Sequence, residues 1–264
     1  MAMTGIDFGR HSDDYAQHRP GFPDSFYDRL ETIVALKGIA ALDLGTGPGV
    51  VALELARRGA NVIGIDISPN QIDAARHLAA DRGLSERARF LISRVEEIHL
   101  PDNSFDLATA GQCWGWFDEP LAMREVMRLL GPGGWLIVGQ FCYLPRLDEV
   151  ARATERLILE HNPDWKMAHF DGLYPWRIDA LISGGFEFVE QFCYDHAQPF
   201  THESWRGRIR TCNGIGSGAM TDEQVAAFDA ELAEMLRREY PQEPLAIRHR
   251  VWAVVVRKPQ AEAR

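Results

Sequence analysis

No uncharged apolar run in this chain approaches the roughly 20 residues that cross a bilayer. The opening MAMTGIDFGRHSDD has no apolar stretch of the signal-peptide kind. The expectation is a cytoplasmic protein with no membrane partner. Cysteine is scarce. Cys113, Cys142, Cys193 and Cys212 stand far apart without a CxxC pair, which argues against a disulfide framework and fits reduced thiols. His161, Asp164, His169 and Asp171 fall near one another but match no standard ligand spacing, so no metal is expected. Basic charge is in deficit. Lys and Arg number 28 against 38 Asp and Glu, and the formal net charge of −10 repels phosphate backbones. No nucleic-acid partner is expected. Repeats and low-complexity tracts are missing too, so 264 residues leave room for one large domain or a domain with a sizeable insertion.

What is present is a rhythm. Apolar residues at Phe26, Tyr27, Leu30, Ile33 and Val34 suit an amphipathic helix within Pro23 to Leu36. Ile39 to Leu44 is a short buried strand. A glycine loop follows, then a helix through Val50, Val51, Leu53, Leu55 and Ala56, then a second strand, Val62 to Ile65. In SPNQIDAAR, Ser68 is an N-cap, Pro69 the first helical residue, and Gln71 the partner of a capping box. Further strands are Ala88 to Ser93, Phe105 to Gly111 and WLIVGQF, with a helix at Leu121 to Leu130. Alternating strands and helices make a parallel sheet covered on both faces. After residue 145 the rhythm breaks. Helices are expected near Leu147 to Ile158, at Trp176 to Ile182 and after Thr221, whose capping box Gln224 completes. FEFVEQFCY and HRVWAVVVRK are the last strands. No βαβ unit joins them, so they are expected as an antiparallel edge pair with a lid between.

Ligands of open parallel sheets bind beyond the carboxyl ends of the strands. In LDLGTGPGV, Gly45, Gly47 and Gly49 sit between the first strand and a helix, where a backbone can approach a ligand closely. Asp66 closes the second strand about 20 residues on, where an acid suits a ribose diol. A dinucleotide enzyme prefers GxGxxG. Here the third glycine falls one place early, with Val50 in its stead, and Asp43 stands beside the loop. A carboxylate disfavours a pyrophosphate and favours a ligand bearing an ammonium and a sulfonium.

LDLGTGPG, VIGIDISPNQIDAAR, VEEIHLPDNSFDLATAGQCWGWFD and EVMRLLGPGGWLIVGQF, in this order, resemble the class I S-adenosylmethionine-dependent methyltransferases over roughly residues 10 to 141. DDYAQHRPGFPDSFYDRL resembles the opening of their small-molecule branch, the trans-aconitate methyltransferase-like enzymes. The resemblance implies an α/β, Rossmann-like seven-stranded sheet with its last two strands an antiparallel edge pair and an α-helical lid insertion. It implies a cofactor-covering segment and helix at 1–38, a cofactor-binding core at 39–145, and a C-terminal half at 146–264 with a lid near 195–240. S-adenosyl-L-methionine would be the cofactor and S-adenosyl-L-homocysteine the product. Gly45, Thr46, Gly47 and Gly49 would line the methionine part beside Asp43. Asp66 would hold the ribose, Ile67 would pack on adenine, and Val95 and Glu96 would reach its edge. Ala110, Gly111 and Gln112 would floor the methyl end, with Tyr15 and Arg19 folded above. Two positions depart from the family: Arg94 where many relatives carry an acid, and Gly115 where many carry His.

Transfer from a sulfonium needs alignment and a dry site more than a fixed triad. No catalytic set is therefore legible. His169, His202 and Trp116 are candidates, with His196 a further histidine of the lid region. Trp114, Trp165, Trp176, Trp205, Arg206 and Arg210 are candidates for the acceptor, a small molecule methylated on O or N. Each also fits a plainer role: tryptophans close a core, and the arginines pair with the abundant acids. Two rivals stand beside this reading, a protein that binds the cofactor without turnover and a nicotinamide oxidoreductase. The sequence leaves the oligomeric state open.

Overall fold

The computed structural model describes residues 18–216 and 220–260. In chain order the elements are α1 (Asp24–Glu31), β1 (Ala40–Leu44), α2 (Val50–Arg57), β2 (Asn61–Asp66), α3 (Pro69–Asp81), β3 (Ala88–Ile92), β4 (Phe105–Gly111), α4 (Glu119–Leu129) and β5 (Leu130–Tyr143). Then come α5 (Glu149–His161), α6 (Trp176–Ser183), β6 (Glu187–Phe200), α7 (His202–Arg210), α8 (Asp222–Glu239) and β7 (Leu245–Arg257). The seven strands form one sheet in the order β3-β2-β1-β4-β5-β7-β6. The first five are parallel, and β7 runs antiparallel to both β5 and β6. The chain winds outward from β1 to β3, then crosses back to β4. That reversal opens a crevice between the carboxyl ends of β1 and β4.

Side chains alternate across the sheet and fill a core on each face. Ala41, Leu107 and Ile137 face a layer built from α1, α2 and α3, with Phe26, Leu30, Leu55 and Ile72 fully or almost fully buried. Leu42, Leu44, Ala108 and Leu136 face α4 and α6, against Val126, Leu129 and Leu181. Each such Leu or Phe contributes about 2 kcal/mol on burial. A third core joins α5, α7 and α8 to the Phe200 and Leu245 ends of β6 and β7. Several helices carry side-chain caps at their starts. Ser68, Asp118 and Asp148 accept from the backbones of Gln71, Leu121 and Ala151, and Thr221 and Gln224 form the expected box.

Three local expectations shift. Helix α1 stops at Glu31, where the Thr32 hydroxyl turns back to the Arg29 carbonyl at 2.7 Å. At α3 the Ser68 N–H donates to Asp66 Oδ1 at 2.9 Å, so the acid of β2 takes the half of the box assigned to Gln71. Strand β6 continues through Phe200 rather than ending near Tyr194, paired with β7 along its length. The excursion between the last strands is therefore 201–244. Among the described residues, no helix is long and apolar enough to cross a membrane, and no cluster of three or more His, Cys, Asp and Glu can hold a metal.

Candidate cofactor site

The loop from Gly45 to Gly49 connects β1 to α2 at the crevice. Gly45, Gly47 and Gly49 all have positive φ, at 55°, 53° and 85°. A Cβ on Gly45 would lie 2.9 Å from Cys113 Cβ, so only glycine lets the loop rest on the turn that follows β4. The Thr46 N–H donates to the Ile65 carbonyl at 2.8 Å and ties the loop to β2.

Two acids organise the loop from beneath and beside. Asp43 is 1% exposed. The Thr46 hydroxyl donates to its Oδ2 and the Thr109 hydroxyl to its Oδ1, both at 2.6 Å. Burial pushes this carboxyl up to about 6, against the lowering pull of the bonds from Thr109, Thr46 and the Ala52 N–H. Asp66 accepts the Gly47 N–H at 3.0 Å on one oxygen and the Ser68 N–H at 2.9 Å on the other. Each carboxylate oxygen retains acceptor capacity. Asp66 thus fixes the loop and still offers lone pairs to a diol.

Around this frame the structure gathers most of the predicted residues. Arg19, Asp43, Gly45, Gly47, Gly111 and Gln112 line one pocket, with Thr46 also on its wall. Gln112 has φ +63°. Its N–H donates to the Gly139 carbonyl at 2.8 Å, and its Oε1 accepts from Arg19 Nη2 at 3.3 Å. Ala110 lies buried beneath. Ile67, just past the end of β2, is 67% exposed, an open apolar platform where a flat ring can rest. Val95 is buried. Glu96 accepts the Asp118 N–H at 3.0 Å and lies 3.5 Å from Arg94. The Glu96 carboxylate therefore anchors the start of α4. Tyr15 lies outside the described residues.

The residues expected around the acceptor divide. Trp114 and Trp205 are fully buried, their indole N–H groups donating to Glu119 at 2.7 Å and Thr154 at 3.0 Å. Both are enclosed core side chains. Arg206 and Arg210 lie on one face of α7 as expected, but both grip Asp229 of α8 and also pair with Glu203. They tie the lid helices together. Trp165 donates to Asn213 at 2.9 Å within the third core. His202 Nε2 lies 2.9 Å from the Tyr240 carbonyl, at the start of α7. His169 lies 3.2 Å from Glu155 and is mostly exposed, and His196 is on β6 near Phe141. Trp116 and Trp176 stay open to solvent at 37% and 56%. Sequence reasoning missed Thr109, which holds Asp43 across two strands, and Arg177, buried beside the turn at Trp114–Trp116. Thr109 carried one signal, a hydroxyl within the run Leu107–Gly111 that is otherwise apolar.

A parallel sheet that reverses at β1 and β4, with a glycine loop there and an acid near the carboxyl end of each of the first two strands, fits a nucleoside-binding α/β protein. Residues 42–138 match the family described as methyltransferase domain. Over that stretch the chain is similar to known methyltransferases. It is 34% identical over 131 residues to an uncharacterized methyltransferase of Mycobacterium tuberculosis, across 50% of each chain. It is 27% identical over 230 residues to the 27-O-demethylrifamycin SV methyltransferase of Amycolatopsis mediterranei, covering 82% of this chain and 78% of that one. The solved structure of the [4+2]-cyclase SpnF shares the fold at a TM-score of 0.57 and 24% identity, over 90% of this chain and 82% of that one. The chain spans about half the length of the first curated relatives it matches.

Proposed function

We propose that this protein transfers the methyl group of S-adenosylmethionine to an oxygen or nitrogen of a small molecule in the cytoplasm. One observation carries the reading: Asp43 and Asp66 converge on one glycine loop at the crevice, the first buried and the second half-open. The cofactor supplies an already activated methyl on its sulfonium. The residues present fit it. The buried Asp43 favours an ammonium nearby, which would restore the carboxylate that burial disfavours. Gly45 and Gly47 leave room for the methionine part. Asp66 has acceptors for two ribose hydroxyls and Ile67 a face for adenine. Gln112, held by Gly139 and Arg19, would floor the methyl end, and Arg19, on the wall of the same pocket, would lie near the carboxylate. These groups bind, orient and exclude water. The name of the rifamycin relative supports O-methylation of a small molecule. The trans-aconitate-like branch remains part of the proposal.

Thermal unfolding with S-adenosylhomocysteine tests the reading. A ligand at 100 times its dissociation constant stabilises by about 2.7 kcal/mol, a rise of roughly 5–10 °C at this size. The expected result is such a rise in the wild type, a smaller one in Asp66→Ala and none with NAD. No rise with S-adenosylhomocysteine, or one with NAD alone, sinks the cofactor assignment. Since a cyclase shares the fold, loss of S-adenosylmethionine against a metabolite panel then separates transfer from binding alone.

A further inference from the structure

We propose that Arg177 receives a carboxylate of the methyl acceptor, so that the acceptor is an organic acid with an apolar body. This rests on the function proposed above and names its substrate class. Arg177 occupies the first turn of α6 and is 8% exposed. Its guanidinium carries five donors. Among the described residues its ion-pair partner is Glu119, whose Oε1 lies 3.5 Å from Nη1 and already accepts the Trp114 N–H at 2.7 Å. The buried Nε has no partner among the described residues. Burial pushes this guanidinium down from its ordinary range, with Glu119, Tyr174 and Cys113 opposing. A buried cation so thinly matched is unfavourable unless a second anion completes it. The Nε and Nη2 edge is the side that grips a carboxylate with two parallel bonds.

Position supplies the second argument. Arg177 Nη2 lies 3.5 Å from where a Cβ on Gly115 would stand. Gly115 is the middle of the turn Trp114–Trp116, and Cys113 just before it touches the place where a Gly45 Cβ would be. The guanidinium therefore stands over the same turn that joins the glycine loop to the Gln112 floor. Glycine at 115 places no side chain of its own against the guanidinium. The walls are apolar. The Tyr174 ring is 5.9 Å from the guanidinium carbon, and the rings of Phe170 and Trp176 are 4.8 and 5.6 Å from Tyr174. Trp116, Leu173 and Trp176 are exposed beside it. A cation at the base of an open aromatic rim selects an acid whose remainder is apolar.

The test uses the full chain saturated with S-adenosylhomocysteine, with benzoate as probe, benzamide as its neutral match, and sodium chloride to equalise ionic strength. Melting temperature is read for the wild type, Arg177→Gln and Arg177→Lys. Benzoate at about 10 mM is expected to raise the wild type by 2 °C or more over benzamide. Arg177→Gln should lose that difference, keep the S-adenosylhomocysteine shift, and melt no lower than wild type without benzoate. Arg177→Lys, charged but without the fork, should keep a reduced benzoate shift. Equal effects of benzoate and benzamide on the wild type overturn the proposal, whatever the variants do. So does an Arg177→Gln protein that fails to fold or melts several degrees lower, since the residue is then a structural tie between α6 and α4. Loss of the S-adenosylhomocysteine shift in the wild type would instead sink the cofactor reading.

Discussion

A single added methyl tests the cradle at residue scale. Gly45 and Gly38 both have positive φ, 55° and 84°. Alanine at either position carries the left-handed backbone penalty of about 1–2 kcal/mol. Only at Gly45 does the new Cβ meet anything, Cys113 at 2.9 Å, whereas Gly38 has nothing within 4 Å. Gly38→Ala is thus the control for backbone strain. We expect Gly38→Ala to lower stability by about that amount and Gly45→Ala by more. Gly45→Ala alone should weaken S-adenosylhomocysteine binding, by tenfold or more in calorimetric titration, because the loop must lift from the turn after β4. Equal affinities in the two variants would mean that the loop's contact with Cys113 does not shape the site.

At the scale of elements, the α7–α8 pair depends on one acid. Asp229, mostly buried, accepts from Arg206 Nε at 3.1 Å and Arg210 Nη1 at 3.0 Å. Asp229→Ala leaves two half-buried guanidiniums facing each other. Between the small value of exposed pairs and the larger one of buried pairs, about 2 kcal/mol is expected. Hydrogen exchange should show α7 and α8 opening while β1 and β4 keep their protection; uniform loosening would mean that the lid and the sheet open as one unit. The elements also explain what the sequence could disclose. β1, β2, β4 and β5 were legible because strands covered on both faces are mostly apolar runs, and the caps Ser68 and Thr221 sit where they act. Asp43, Gly45 and Asp66 belong to one βαβ stretch, so their convergence is local. The end of β6 was not legible: as an edge strand it is exposed along much of its length, and DHAQPF has no apolar signature. Trp114 and Trp116 differ by two positions and end in opposite environments, one in the core and one at the surface. Composition assigns neither. Arg177 looked like any helical arginine, because its burial depends on α6 meeting a turn some 60 residues earlier in the chain.

For the whole molecule, two buried groups pull stability in opposite directions with pH. The Asp43 carboxyl rises from 3.8 to about 6 on folding. Between those values the folded state holds a proton that the unfolded chain has lost, so this group makes stability fall as pH rises. His249 is fully buried among Phe141, Phe200 and Trp205, with Nδ1 3.0 Å from the Ile247 carbonyl. Burial pushes it from 6.5 down to about 3. Between those values the unfolded chain holds the proton and the folded state does not, so stability rises with pH. Each slope is about 1.4 kcal/mol per pH unit, and from pH 4 to 6 the two cancel. Substitution separates them. Relative to wild type, His249→Phe should gain stability as pH falls from 6.5 to 4, and Asp43→Asn should gain it as pH rises from 4 to 6, each by about 3 kcal/mol. Urea unfolding across pH 4–7 measures both differences, and contributions common to all three proteins drop out. S-adenosylhomocysteine adds a third arm. Its ammonium beside Asp43 would return that carboxyl toward 3.8, removing the falling slope and leaving the rise from His249. The saturated wild type should then follow the pH dependence of Asp43→Asn. If it keeps its own flat dependence while still binding the ligand, Asp43 does not face the ammonium.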